Sequence, residues 1–384
     1  LSAPARELVQ AICDASPVPV YAVGGVVRDL ALDRPVGDID LTVETDPVGL
    51  AEAANQAVTL PARLRRHHRF GTVSLEEGST RVDIAMSRAE RYATAAALPE
   101  VLPARIADDL LRRDFTINAI AFDLGDRTGY VDPADGAADI EQGIVRALHP
   151  RSFIDDPTRL FRACRYAGRL AFDIEPSTRT WMSEGLGYVD RLSPARLRNE
   201  LFAILHEAAP AAALDCAQHT NVLPTALPRL AALSPSCIAS LDNLPGFTGG
   251  LDPLTVRLCI LGAGLGPAAI REVVTRLALP RSVEAAVAAL PAAGIAVRPF
   301  ERPVARVSEF VRVCERFPAP TLAALAVATE SPALRVAIES FLTAWHRFRP
   351  AVRAEELMAA GYTGPLLGAV LDRLRAARLD GDID

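Results

Sequence analysis

The fold of this 384-residue chain is decided near its start, where GGVVRD occupies residues 24–29 and GDID follows at residues 37–40. A strand-like run at 18–23 ends at the glycines, and alternating polar and apolar residues predict a second strand at 38–43. Alternate side chains of a strand share one face, so Asp38 and Asp40 present two carboxylates whose Cα atoms lie roughly 7 Å apart. Two such carboxylates repel each other, and Mg²⁺ ions that also bind nucleotide phosphates would relieve that repulsion. The pattern therefore predicts a catalytic pair that binds Mg²⁺.

The glycine pair predicts a close approach of the backbone to a phosphate chain. Gly24 and Gly25 carry no side chain, and the amides at the start of the following helix suit a triphosphate. Arg28 adds a guanidinium for a charge-assisted contact. An isolated Asp-x-Asp would indicate an acidic surface strand, but its place after GGVVRD favours nucleotide binding.

The string RRDFTINA at residues 112–119 is a second candidate nucleotide site, at a predicted helix-to-strand junction. Arg112 and its neighbour could hold phosphates, and Asp114 could accept a hydrogen bond from a ribose 2′-OH, which selects ribonucleotides. Asn118 belongs to the same candidate site. The structural alternative is a helix end whose arginines balance the helix dipole.

A third string, DDPTRLFRACRY at residues 155–166, predicts a capped helix. Asp156 suits the N-cap and Pro157 the first helical position, while Arg159 and Arg162 share one helix face. The structural interpretation is an exposed arginine stripe. The functional one is that Asp156 and Arg159 offer hydrogen-bond groups to a base edge. Both interpretations can hold together.

Composition limits the class of protein. The net charge of −6 is unlike that of a wholly basic nucleic-acid binder. Six scattered cysteines predict neither a zinc site nor a disulfide framework, and they indicate a reducing cytoplasm. No stretch is expected to be apolar enough to cross a membrane.

Arginine-rich runs at 63–69, 159–169 and 191–198 flank the carboxylate motifs. A solvated surface explains each run alone, but together they favour a path for a polyanion. The candidate RNA contacts are Arg65, Arg66, Arg69 and Arg198.

The chain changes character at about residue 156. Before it, strand-like runs at 72–75, 82–86 and 117–123 alternate with helical stretches. After it, apolar residues recur with helical periodicity. The predicted helices are 157–171, 194–207, 254–262, 266–277, 282–292, 304–315, 320–328, 332–346 and 366–377.

Taken together, the three strings resemble those of the class II tRNA nucleotidyltransferases and their bacterial poly(A) polymerase relatives. VDPADG at 131–136 with Asp139 resembles the family's hinge motif, and Arg196–Leu201 its last neck motif. The base-template motif usually begins with Glu, which Asp155 replaces here. The resemblance is close over residues 20–205, fades through 210–350 and returns weakly at the end.

The resemblance implies an α+β fold in which a polymerase-β-like head, with a mixed sheet and flanking helices, precedes an all-helical remainder. The implied domains are a catalytic head at 1–140, a base-recognising neck at 141–210, a body at 211–350 and an RNA-binding tail at 351–384. Asp38 and Asp40 would hold two Mg²⁺ ions, with Asp83 as a third carboxylate. Asp156 and Arg159 would select CTP or ATP, and the partner would be the 3′ end and acceptor arm of tRNA.

Four activities within the family remain open: CCA addition, A addition alone, CC addition alone, and poly(A) synthesis. The ordinary length of 87–109 disfavours CC addition, and the acidic end at 379–384 disfavours poly(A) synthesis. CCA addition is the first expectation and A addition, with a separate CC-adding enzyme, the second. Antibiotic- or protein-modifying nucleotidyltransferases lack the second and third strings, and a non-catalytic RNA binder has no reason to keep both Asp38 and Asp40.

Overall fold

The structure is a computed structural model that describes residues 3–59, 61–67, 71–78, 80–97, 99–125, 129–302, 306–350 and 352–383. Its contacts divide the chain into two units, Leu1–Leu192 and Ser193–Asp384. The finer division into head, neck, body and tail stays a prediction.

The first unit is built on a mixed seven-stranded sheet with the order β3-β4-β5-β2-β1-β8-β9. Neighbouring strands are antiparallel except β2 and β5, which are parallel. Strands β6 and β7 pair in one small sheet, and β10 and β11 in another. The strands are β1 Val20–Val23, β2 Ile39–Val43, β3 Arg63–His67, β4 Thr72–Glu77, β5 Thr80–Met86, β6 Arg88–Arg91, β7 Glu100–Pro103, β8 Ala121–Asp123, β9 Tyr130–Val131, β10 Ile144–Val145 and β11 Asp173–Ile174.

Helices flank this sheet, which confirms the predicted α+β fold class. The helix after β2 shows how local sequence sets a boundary, because the Asp46 side chain accepts hydrogen bonds from the Val48 and Gly49 amides and Pro47 opens the first turn. The helices are α1 Ala3–Ala15, α2 Gly25–Ala31, α3 Pro47–Ala57, α4 Ile106–Leu111, α5 Gly136–Gln142, α6 Ser152–Asp155, α7 Thr158–Leu170 and α8 Pro176–Gly185.

The second unit is helical throughout the ranges that the structure describes. Several of its helices begin with a serine or aspartate cap followed by proline, as at Ser193 and Asp252. Its core includes α13, whose residues from Leu254 to Gly262 are all buried. The helices are α9 Pro194–His206, α10 Ala211–His219, α11 Val222–Ala226, α12 Pro235–Ser240, α13 Pro253–Gly262, α14 Pro267–Leu277, α15 Arg281–Ala288, α16 Leu290–Val297, α17 Val307–Cys314, α18 Ala319–Ala328, α19 Pro332–Thr343, α20 Ala354–Ala359 and α21 Gly364–Leu379.

Two expectations from the sequence need correction. The segment Arg281–Glu301 is long and apolar enough to cross a membrane by length and composition alone, contrary to the expectation that none is. It is divided between α15 and α16, which pack against α13, α14, α17 and α18. The predicted strand at 117–123 begins only at Ala121, because Thr116–Asn118 forms a 3₁₀ turn.

Candidate nucleotide-binding and catalytic site

The two carboxylates of GDID lie at the start of β2, on the same side of the sheet as Asp83 of β5. The parallel register pairs Asp40 with Asp83, and both Asp38 and Asp40 are accessible to solvent. Desolvation raises the pKa of Asp40, and the carboxylates of Asp83 and Asp38 raise it further, while the Arg113 guanidinium acts in the opposite direction. The fold therefore concentrates negative charge where a cation would relieve it.

This arrangement fits Mg²⁺ through two carboxylates rather than three. Asp83 is engaged by the Arg81 guanidinium at 2.9 Å. Over the described ranges, no three or more His, Cys, Asp or Glu side chains form a group that could hold a metal ion. Protein sites for Mg²⁺ usually supply one or two carboxylates and leave the remaining positions to water and substrate phosphates. Asp38 and Asp40 match that donor set.

The glycine turn that precedes α2 needs a backbone that only glycine adopts readily. Gly24 has φ +65° and ψ −120°, and its amide donates to the Ile120 carbonyl at 3.0 Å. A Cβ added at Gly24 would lie 2.7 Å from Nη1 of Arg113. Arg113 therefore lies against the glycine turn while its charge also acts on Asp40.

Arg28, predicted to contact a phosphate, is buried with 2% of its surface exposed. Its guanidinium donates to Asp29 at 2.7 Å and to Oδ1 of Asn118, and it lies 5.0 Å from the ring centroid of Tyr166. These contacts tie α2 to the 3₁₀ turn that carries Asn118. In this arrangement Arg28 holds Asn118 in place.

Asp114 is the centre of a buried hydrogen-bond network with Asn118 and Arg162. Its Oδ1 accepts from Nδ2 of Asn118 at 3.0 Å, and its Oδ2 accepts from Nε of Arg162 at 2.7 Å. Burial alone would raise the pKa of Asp114, but the charge of Arg162 and the hydrogen bond from Asn118 lower it to about 2. With its pKa at about 2, Asp114 is ionised at neutral pH, where its carboxylate only accepts hydrogen bonds.

Arg112 points into a separate ionic cluster. It pairs with Glu90 at 2.6 Å and with Asp109 at 2.7 Å, and Arg113 pairs with the second oxygen of Asp109 at 2.9 Å. Burial raises the pKa of Asp109, but the charges of Arg113 and Arg112 outweigh it and hold that pKa below its usual value. Glu90 and Asp109 were missed from the sequence because acidic residues between predicted elements carry no distinctive pattern.

The prediction that Asp156 is the N-cap of α7 is wrong by one residue, because Pro157 is the N-cap and makes no side-chain cap hydrogen bond. The Asp156 side chain still lies at this helix start, where its Oδ1 accepts from the amide and hydroxyl of Thr158 at 3.0 and 2.6 Å. The helix itself begins at Thr158, one residue later than predicted. Arg159 is buried and donates to Oγ of Ser152 at 2.8 Å and to the Arg112 carbonyl at 2.7 Å. The second and third strings therefore meet in space at the Arg112 carbonyl.

Comparison with known families matches residues 20–146 to the poly A polymerase head domain. Residues 171–233 match a probable RNA and SrmB-binding site of polymerase A. Among solved structures, the Thermotoga maritima CCA-adding enzyme complexed with tRNA aligns over 98% of this chain and 91% of its own, at 30% identity and a TM-score of 0.77. The chain belongs to the class II tRNA nucleotidyltransferases.

Two curated relatives of this nucleotidyltransferase are named for different activities. The A-adding tRNA nucleotidyltransferase of Geobacter sulfurreducens is 39% identical over 233 residues, which are 59% of this chain and 26% of that protein. The multifunctional CCA protein of Xanthomonas campestris pv. campestris is 39% identical over 227 residues, which are 56% of this chain and 52% of that protein. The matched region thus spans between a quarter and a half of these relatives' own length.

The candidate RNA contacts of the nucleotidyltransferase belong to both units of the chain. Arg65 lies 3.4 Å from Glu76, and Arg66 pairs with Glu52; both arginines lie on the edge strand β3 and are about half exposed. Arg69 lies outside the described residues. In the second unit, Arg198 donates to the Ala278 carbonyl at 2.6 Å, at the end of α14.

Tyr166 is a buried site residue that sequence reasoning missed. Its ring has the guanidiniums of Arg28, Arg162 and Arg165 within 5.0–5.5 Å of the centroid. The four-residue spacing of Arg162 and Tyr166 on α7 could have suggested one of these contacts. The contact with Arg28, far away in the chain, could not be read from spacing.

Proposed function

We propose that this nucleotidyltransferase adds CCA to the 3′ end of tRNA, using CTP and ATP without a nucleic-acid template. The observation that carries the proposal is the position of Arg113. Its Nη1 lies against Gly24, its charge acts on Asp40, and its buried Nε has no hydrogen-bond partner in the described part of the chain. A triphosphate that runs from the carboxylates to the glycine turn would pass the positive charge of this guanidinium, which complements the charge of the phosphates.

The carboxylates and the glycine turn form the part of the site where the phosphoryl transfer would take place. Asp38 and Asp40 would hold Mg²⁺, which supplies charge neutralisation and a lower barrier to deprotonating the RNA 3′-OH. Gly24 and Gly25 let the backbone approach the triphosphate, and Arg113 balances the charge of the departing pyrophosphate. No side-chain base is needed for this transfer.

The buried network of Asp114, Asn118 and Arg162 forms the part of the site that would recognise the nucleotide. Asp114, ionised and fixed by Arg162 and Asn118, would accept a hydrogen bond from the ribose 2′-OH. Asp156 and Arg159 would present the donor and acceptor groups that distinguish CTP and ATP from UTP and GTP. Arg112 supports this part of the site through its carbonyl, which accepts from Arg159 at 2.7 Å.

Addition of A alone is the second candidate function. The similarity to the Geobacter A-adding enzyme favours it, whereas the alignment with the Thermotoga CCA-adding enzyme over nearly the whole chain favours complete CCA addition. An enzyme that adds only A implies a separate CC-adding enzyme as a partner in tRNA maturation.

Three tRNA transcripts test these alternatives. They end at the discriminator base, after one C, and after CC, and each is incubated with enzyme, Mg²⁺ and CTP, ATP or both. Full CCA on the shortest transcript supports the proposal. Extension of only the CC-ending transcript by one A replaces it with A addition. Long A tails on any RNA would indicate poly(A) synthesis, and no extension with any combination would overturn the proposed activity.

A further inference from the structure

The ring of Tyr166 contacts arginines on both sides of Asp114, the carboxylate that is proposed to recognise the ribose. Tyr166 lies on α7 and is 7% exposed. The guanidiniums of Arg28 and Arg165 lie 5.0 Å from its ring centroid and that of Arg162 lies 5.5 Å away. On another side, Phe115 meets the ring edge-on at 5.8 Å between centroids. Three cations therefore surround a ring that is packed in place.

Two of these arginines, Arg28 and Arg162, fix the position of the Asp114 carboxylate. Arg28 donates to Oδ1 of Asn118, and Asn118 in turn donates to Oδ1 of Asp114 at 3.0 Å. Arg162 donates to Oδ2 of Asp114 at 2.7 Å and to the Tyr166 hydroxyl at 3.1 Å. The carboxylate is clamped from both sides by groups that share the Tyr166 ring.

The electrostatics of the ring matters because the three guanidiniums carry like charges. The face of an aromatic ring is negative and attracts cations, most strongly where water is excluded. Asp29 neutralises part of the charge on Arg28 at 2.7 Å, and Asp114 neutralises part of that on Arg162. The ring attracts all three guanidiniums and so opposes their mutual repulsion. If its negative face is weakened, the arginines are expected to move apart.

We infer that Tyr166 is a positioning residue for ribose discrimination. Through Arg28 and Arg162 it fixes the place of the Asp114 carboxylate, and thereby sets how strongly the enzyme prefers a ribonucleotide to a deoxyribonucleotide. This inference rests on the proposed role of Asp114 and deepens it.

The test replaces Tyr166 in the 384-residue chain by phenylalanine and then by phenylalanines of increasing fluorination, which keep the ring's shape while weakening its negative face. The readout is the ratio of kcat/KM for ATP to that for dATP on a tRNA ending in CC. Tyr166→Phe should stay within about threefold of wild type, and the pentafluorinated ring should lower the ratio about tenfold. A residue that only fills space would give the same ratio across the isosteric series.

Tyr188 provides the matched control, since among the residues that the structure describes its ring lies against one guanidinium, that of Arg191, at 5.0 Å. The same fluorinated substitution at Tyr188 should leave the ratio unchanged. The Asp114→Asn variant tests the proposed role of Asp114 separately from that of Tyr166. A ratio that falls with Asp114→Asn but not with fluorination at position 166 would overturn the role of Tyr166 and leave that of Asp114 standing. A ratio unchanged by both would overturn both.

Discussion

The sharpest stability prediction concerns Gly24, where an added methyl group meets two separate penalties. The backbone at φ +65° and ψ −120° is accessible to glycine but costs an alanine about 1–3 kcal/mol. The new Cβ would also lie 2.7 Å from Nη1 of Arg113, the end of a flexible side chain that must shift although its Nη2 pairs with the buried Asp109 at 2.9 Å. Gly24→Ala should therefore lower the free energy of unfolding by about 2–4 kcal/mol.

Thermal unfolding followed by circular dichroism measures this loss, which corresponds to a fall in Tm of roughly 5–12 °C for a unit of this size. Gly25→Ala is the matched control, because its Cβ would meet only Nη2 of Arg28 at 3.5 Å, an ordinary contact. That variant should melt within a few degrees of wild type. If Gly24→Ala melted like Gly25→Ala, neither the backbone conformation nor the contact with Arg113 would be a real constraint.

Three further changes give distinct outcomes. Asp40→Asn should raise Tm in metal-free buffer, because it removes the repulsion from Asp83 and Asp38. The same variant should lower kcat roughly 10³-fold. A metal-free Tm below that of wild type would contradict the repulsion between these carboxylates. Gly136→Ala places a Cβ 2.1 Å from the Thr116 carbonyl oxygen and should lower the free energy of unfolding by about 3 kcal/mol or more. The control Gly187→Ala, whose Cβ has nothing within 4 Å, should lower it by less than about 1 kcal/mol. Equal urea midpoints for the two variants would refute the close approach of Gly136 to Thr116. The pKa of Asp114 falls from 3.8 to about 2 on folding, so its stabilisation is present above pH 3.8 and lost as pH falls through about 2. Asp114→Asn should accordingly flatten the acid limb of the stability profile, and an unchanged acid limb would rule this linkage out.

Much of the first unit could be predicted from local patterns. The glycine pair after an apolar run marks the end of β1 and the start of α2, and polar–apolar alternation places Asp40 on β2. In the second unit, Ser-Pro and Asp-Pro pairs mark helix starts such as those of α9 and α13. These features depend on neighbours within one turn or one strand, which is the range that sequence patterns describe.

The remaining features depend on contacts between distant parts of the chain. No strand was predicted for the basic run at 63–67, but it forms edge strand β3, where exposed charged side chains are compatible with pairing on one side only. Arg28 was expected to face a phosphate, but a hydrogen bond to Asn118, 90 residues away, helps to hold it in the interior. No spacing rule predicts such a pair.

The most direct test of the catalytic role of Asp38 and Asp40 measures transfer of labelled AMP from α-³²P-ATP to a CC-ending tRNA transcript, with wild type and the Asp38→Asn and Asp40→Asn variants. Circular dichroism confirms first that each variant is folded. We expect one labelled A per tRNA and equimolar pyrophosphate with wild type in Mg²⁺, and roughly 10³-fold slower transfer with either variant. Near-wild-type transfer by either folded variant would contradict the claim that these two carboxylates form the catalytic centre.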